Sequence, residues 1–276
     1  MSMRLRYGSF LMPAAAVLLV FHLVPVAMVL GISFTEPHAG LQNYRALLTS
    51  GAAQNALATT FRIAVSTTLI TVALGTVYAL IAWKSRPAIG RLMINTVALT
   101  FWLSVLIRTV AWVAILRDNG ILNGLLQAIG LIATPLPLLR NQTGVLIGMV
   151  HYMLPLAVLP VYNSLRAVPV QQLQAARSMS ASGAYILRTV VLPQCTPGIV
   201  AACALVFMLS LGFFVTPAIL GGGKVVMVAE YIRLQIEETV RWGLASMMAT
   251  TLLVAVCVSM GLAARAVGLK RIFQGH

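Results

Sequence analysis

Thr143-Gly-Val-Leu-Ile-Gly-Met-Val-His-Tyr-Met-Leu-Pro-Leu-Ala-Val-Leu-Pro-Val-Tyr-Asn-Ser-Leu165 carries no formal charge until Arg166 follows it. At 1.5 Å of rise per residue, a helix over this stretch is about 34 Å long, enough to cross roughly 30 Å of bilayer hydrocarbon. Five further apolar runs accompany it, at about Phe10 to Phe34, Ile63 to Trp83, Leu92 to Leu116, Ile199 to Leu220 and Gly243 to Ala264. Only the third contains a charge, Arg108. Of the 276 residues 60% are hydrophobic and 9% charged, and the mean hydropathy is +0.94. A soluble domain is about 25% charged, so this chain has too little polar surface to cover a globule in water. The expected fold class is all-α integral membrane, with six transmembrane helices. The first run is too long for a signal-peptide core and lacks a following cleavage site, so it reads as a retained span.

Lys and Arg number 19 against 5 Asp and Glu, a formal charge of +14. The bases are dispersed between apolar runs rather than gathered on a polar surface, which points to topology and away from nucleic acid. With the N-terminus inside, the cytoplasmic segments hold Arg4, Arg6, Lys84, Arg86, Arg91, Arg166, Arg177, Arg188, Arg265, Lys270 and Arg271, and no acid. The outer segments then hold Arg45, Arg62, Arg117, Arg140, Lys224, Arg233 and Arg241 with all the acids, Glu36, Asp118, Glu230, Glu237 and Glu238. The positive-inside rule therefore expects both termini in the cytoplasm.

Chemistry is sparse. Cys195, Cys203 and Cys257 lack metal-type spacing, and neither a disulfide framework nor a metal site is expected. There is no carboxylate pair within a span, no His-Glu-x-x-His, no Gly-x-Ser-x-Gly and no complete phosphate loop. Gly221-Gly-Gly-Lys224 resembles a fragment of one, but it follows a span and suits a turn better. No catalytic residue and no cofactor of its own are expected, so any energy must come from another subunit or an ion gradient.

One long segment faces the cytoplasm, about Arg166 to Thr196. Pro169 suits a first helical turn, after which Leu173, Ala176 and Met179 form an apolar stripe with Gln171, Gln174 and Arg177 beside it. Ser180-Ala-Ser-Gly183 breaks that helix. A second short helix is expected from about Gly183 to Leu192, stopping before Pro193. Two short helices at an angle make a knob suited to a groove of another protein.

This segment resembles the coupling loop of type I ABC importer permeases, which carries Glu-Ala-Ala, three residues, Gly, nine residues and Ile-x-Leu-Pro. Gln174-Ala-Ala176, Ser180 and Val190-Val-Leu-Pro193 keep that spacing, with Gln174 for Glu, Ser180 for Gly and Val190 for Ile. Further stretches resemble the spermidine/putrescine-type branch: Leu41-Gln-Asn-Tyr44, Leu106-Ile-Arg-Thr-Val-Ala-Trp112, Asn119-Gly-Ile-Leu-Asn123, Pro135-Leu-Pro-Leu-Leu139, His151-Tyr-Met-Leu-Pro155 and Phe214-Val-Thr-Pro-Ala-Ile-Leu-Gly-Gly222.

The resemblance implies a type I ABC importer permease fold in a bacterial inner membrane. Residues 1–53 would hold the N-terminal tail, first helix and first outer loop, residues 54–264 the permease core, and residues 265–276 a cytoplasmic tail. Leu173, Gln174, Ala175, Ala176, Arg177, Met179, Ser180, Tyr185, Leu192 and Pro193 would dock an ATPase. The implied partners are a second, similar permease, two cytosolic ATPase subunits that bind ATP and Mg, and an extracytoplasmic solute-binding protein. The implied solute is a polyamine or a related small organic molecule. An amino-acid-like or phosphonate solute is an alternative, as is a stand-alone secondary transporter or channel.

Within the spans, Arg108, Trp112, His151, Thr216 and Pro217 are the candidate path residues. Arg108 lies about 24 Å into a continuous third span, near the outer interface. Snorkelling, pairing with an outer-loop acid and lining the path all remain open to it. His151 could equally be a hydrogen-bonded packing residue. Pro155, Pro160 and Pro217 would free backbone carbonyls, which suits a pathway but is tolerated without one. A polyamine would need carboxylates or aromatic faces to offset its charge; because all five acids lie outside the runs, either the partner permease supplies the negative groups or the solute is less cationic than the branch name implies.

Overall fold

The computed structural model describes residues 3–267, and their side chains apart from 3–11, 14, 15, 263, 266 and 267. Of the bases assigned above to the cytoplasm, Lys270 and Arg271 lie outside the described residues, as do the side chains of Arg4 and Arg6. The elements described are all helical: α1 (Met3–Thr35), α2 (Gln42–Thr49), α3 (Gly51–Lys84), α4 (Pro87–Phe101), α5 (Val105–Leu116), α6 (Ile121–Ala128), α7 (Gln142–Arg166), α8 (Val170–Ser178), α9 (Gly183–Ile186), a π-helical turn (Leu187–Val191), α10 (Leu192–Leu211), α11 (Val215–Gly221), α12 (Val228–Glu237) and α13 (Trp242–Val267). Five stretches are long and apolar enough to cross a membrane, and six if a sharply bent pair counts as one span.

The described residues divide into two compact units, one of residues 3–55 and 231–254, the other of residues 56–230 and 255–267. In the first unit, α1 is apolar around its whole circumference, with Val17, Leu18, Leu19, Phe21 and Leu23 all more than half exposed. Such a helix is solvated by lipid. Its C-terminal end is tied to α2. Asn43 is buried and donates from Nδ2 to Ser33 O (3.0 Å) and Glu36 O (2.7 Å), while Tyr44 stacks on Phe34 at 4.9 Å. Gly243 sits so close beneath this corner that a Cβ there would lie 2.1 Å from Glu36 O.

The second unit is organised around α7. Its Met153, Ala157, Val161 and Leu165 pack with Val72 and Ala79 of α3 and with Cys195, Ala202 and Val206 of α10. Val145 and Met149, nearer its start, pack with Ile63, Leu116, Leu220 and Met227. Small residues set the helix spacing. Gly75 faces Ala157, Gly198 faces Ser164 and Pro160, and Gly148 faces Thr216 and Leu220 at distances where a Cβ would clash. Without a hydrophobic drive between helices in lipid, such close approaches supply the dispersion contact that holds them. α7 is continuous through Pro155 and Pro160.

Three expectations are corrected. The run from Leu92 to Leu116 is not one helix: α4 and α5 meet at a 100° bend across residues 102–104. A break at membrane depth frees backbone carbonyls, and one of them, Leu103 O, accepts a hydrogen bond from Arg108 Nη2 at 2.9 Å; a polar side chain thus does what a fourth-residue N–H does elsewhere. The fifth run breaks at residues 212–214, before Pro217, so that α11 is separate from α10. The helix expected to stop before Pro193 instead continues from Gly183 to Leu211. The π turn over Leu187–Val191 widens the coil where the proline ring would otherwise meet the preceding carbonyl. The Gly221-Gly-Gly-Lys224 stretch is a turn, with Gly222 and Gly223 left-handed at φ 53° and 75°.

Candidate functional site

Two groups of residues stand out, a loop that follows the C-terminal end of α7 and a polar-aromatic cluster around His151 and Tyr152, near its middle. In the loop, α8 ends in two nested backbone bonds, Ser180 N to Arg177 O (2.9 Å) and Ala181 N to Ala176 O (3.2 Å). That double closure places Ser180 in the left-handed region at φ 59°, which explains why glycine suits the position. Ser182 then accepts from Tyr185 N and starts α9. Gln194 Nε2 donates to Gln172 Oε1 at 2.6 Å, fastening α10 to α8. Neither glutamine was singled out by the sequence, where nothing links positions 22 residues apart.

Leu173 and Ala176 turn inward and pack on the core cluster of α7 and α10. Met179, third in the expected stripe, does not join them, because the helix ends there and the left-handed residue swings the chain away. It is 83% exposed, and Tyr185 is 60% exposed. Gln174, Ala175, Arg177, Ser180 and Pro193 are also exposed, and Leu192 is half-buried. Two clefts of about 360 and 320 Å³ flank the loop, and Trp83 and Leu173 line both. Lys84 and Arg177 border the first and Arg166 the second, with no acid in either.

The second group brings together α5, α7 and α11. Arg108 is only 6% exposed. Besides its bond to Leu103 O, its guanidinium lies 4.6 Å from the centre of the Tyr152 ring, and Nε and Nη1 have no hydrogen-bond partner. Arg108 therefore neither snorkels nor pairs with an acid. A buried donor left unpaired costs about 1–3 kcal/mol, and more when charged.

Trp112, one turn on from Arg108, donates from Nε1 to His151 Nδ1 at 3.2 Å, with the two rings edge to face at 5.5 Å. Since Nδ1 accepts, the ring proton of neutral His151 resides on Nε2. Phe213 packs against Tyr152 at 4.8 Å. Thr216 is buried, its hydroxyl 3.2 Å from that of Thr109, and Pro217 is buried beside it. Arg108, Trp112, His151 and Thr216 are thus carried by helices that pack on one another, α5, α7 and α11, with Pro217 next to Thr216. Tyr152 and Phe213 were missed by the sequence reading, in which an aromatic residue in an apolar run carries no signal of what it faces.

Comparison with known proteins gives a consistent picture. Residues 46–272 match the family described as binding-protein-dependent transport system inner membrane component. The spermidine/putrescine transport system permease protein PotB of Haemophilus influenzae is 30% identical over 251 residues, 87% of either chain. A putative 2-aminoethylphosphonate transport system permease protein, PhnU of Salmonella typhi, is 28% identical over 63% of this chain and 61% of its own length. Among solved structures, a bacterial alginate ABC transporter in complex with an alginate pentasaccharide-bound periplasmic protein has a chain that superposes with a TM-score of 0.80 at 16% identity, over 97% of this chain and 95% of that one. A methionine ABC transporter, MetNI, gives 0.57 at 17% identity over 76% of this chain and 91% of that one.

Proposed function

The chain belongs to the family of binding-protein-dependent transport system inner membrane components, and we propose that it is one of two permease subunits of an ATP-driven importer of spermidine, putrescine or a related small amine. The second permease completes the path, an extracytoplasmic binding protein delivers the solute, and two cytosolic ATPase subunits bind ATP and Mg. This chain has no catalytic role of its own. Both termini face the cytoplasm in this reading, which the excess of Lys and Arg on that side supports, and residues 54–264 form the permease core.

The observation that carries the reading is the loop. Its inner residues, Leu173 and Ala176, are anchored in the core, whereas Met179 and Tyr185 are offered outward on a closed, hydrogen-bonded turn. Exposed apolar side chains on a rigid cytoplasmic projection fit a partner's groove. Leu173 to Arg177, Met179, Ser180, Tyr185, Leu192 and Pro193 form or support that docking surface. Arg108, Trp112, His151, Thr216 and Pro217 line the path or hold its wall.

Purification of the tagged chain in mild detergent tests the assembly. ATPase subunits that copurify in equal amount with a second permease support it; gradient-driven uptake by the lone chain in vesicles would establish a secondary transporter instead. Competition by putrescine against 2-aminoethylphosphonate on the system's binding protein decides the solute.

A further inference from the structure

The aromatic wall beside Arg108 is the strongest unassigned feature of the molecule. Tyr152 and Phe213 are packed ring to ring at 4.8 Å, and both are partly exposed. The face of Tyr152 already holds a cation, the Arg108 guanidinium at 4.6 Å. Yet this cation is poorly held, since Leu103 O takes Nη2 while Nε and Nη1 are buried without partners. Arg108 also lies in the first turns of α5, just past the bend of 100°, where a modest rotation of α5 would carry the guanidinium off the ring. All five acids lie outside the apolar runs, so an amine passing here meets π faces rather than carboxylates.

We propose that the Tyr152 ring, backed by Phe213, is a binding site for the alkylammonium end of the solute, and that Arg108 is its resident occupant in the absence of solute. The incoming ammonium takes the place of the guanidinium, which moves aside with α5 and gains the water or backbone partners it now lacks. Two cations cannot share one ring face, so occupancy by solute and the present position of Arg108 exclude each other. Arg108 thereby plugs the path when no amine is bound. This inference rests on the reading of the chain as an amine permease.

The test uses the whole complex in vesicles, with putrescine as probe and saturating loaded binding protein. Tyr152 is replaced by Phe and then by mono-, di- and trifluorophenylalanine, which keep the size of the ring while draining its negative face. Tyr152→Phe, which keeps a ring face, is the reference of the series, and the expected result is a stepwise fall in uptake relative to it with each added fluorine, reaching roughly tenfold at three fluorines. A flat series, or a Tyr152→Phe variant as defective as Tyr152→Leu, overturns the inference while leaving the permease reading intact. A parental complex that assembles with its ATPase but moves no putrescine overturns the amine assignment itself, before any substitution is made.

Discussion

Trp112 Nε1 lies 3.2 Å from His151 Nδ1, so an indole on α5 fixes the tautomer of an imidazole on α7 and leaves its Nε2–H as a donor. The same two helices also meet where the Arg108 guanidinium lies over the Tyr152 ring, one residue along α7 from His151.

Removing the donor alone should therefore be felt in transport. Trp112→Phe keeps an aromatic ring but frees His151 Nδ1, at a cost of about 1 kcal/mol for the lost bond. We expect uptake several-fold lower for Trp112→Phe and lower still for His151→Ala, with the complex still eluting intact on size exclusion. Parental uptake in both would assign the pair to packing.

Ser180 is held at φ 59°, where a side chain is strained by about 1 kcal/mol relative to glycine. Ser180→Gly should raise the thermal midpoint of the detergent-solubilised chain, and Ser180→Val should lower it. A lower midpoint for the glycine variant would show that the serine side chain contributes something the strain argument omits.

Docking and folding can be separated within the loop. Met179→Asp and Tyr185→Asp place charges on exposed positions, and should abolish ATPase copurification without lowering the yield of inserted protein. Ala176→Arg, by contrast, pushes a charge toward the core cluster that Ala176 touches, where burial without a partner is costly, and should lower yield itself. Gln174→Ala should weaken ATPase association only modestly, because a neutral amide offers bonds about half as strong as those of a carboxylate.

Helix spacing gives a further prediction. A Cβ on Gly148 would lie 2.5 Å from Leu220 Cδ1 and 2.7 Å from Thr216 Cγ2, whereas one on Gly124 meets nothing within 4 Å. Gly148→Leu should cost about 1–3 kcal/mol through overpacking and show as aggregation after solubilisation, while Gly124→Ala should be tolerated.

Much of this was legible before any coordinates. Long uncharged runs such as Thr143 to Leu165 have essentially one solution in lipid, the helix, so fold class followed from hydropathy. The break at residues 102–104 was not legible, because Trp102, Leu103 and Ser104 include neither Pro nor Gly, and the compensating donor, Arg108, is recognisable as such only once Leu103 O is seen to need it. Pro193 misled in the opposite sense: the sequence signals a stop, but a π turn carries the helix past it. The segment proposed to dock the ATPase was picked out by spacing, yet which of its residues face outward was not legible, because the helix ends in the left-handed turn at Ser180. Tyr152 and Phe213 escaped notice because their significance lies in contacts between segments distant in sequence, Tyr152 with Arg108 and Phe213 with Tyr152.

Cross-linking from position 179 tests the central claim most directly. With Cys257→Ser to remove an exposed native thiol, Met179→Cys in the assembled complex should form an oxidant-induced bond with a cysteine introduced in the groove of the ATPase subunit, with an efficiency that changes when ATP is trapped. A cysteine at Asp118, assigned to the opposite side of the membrane, should form none. No bond from position 179 in any nucleotide state, in a complex that still transports, would contradict the assignment of this loop as the site where ATP hydrolysis is coupled to the path.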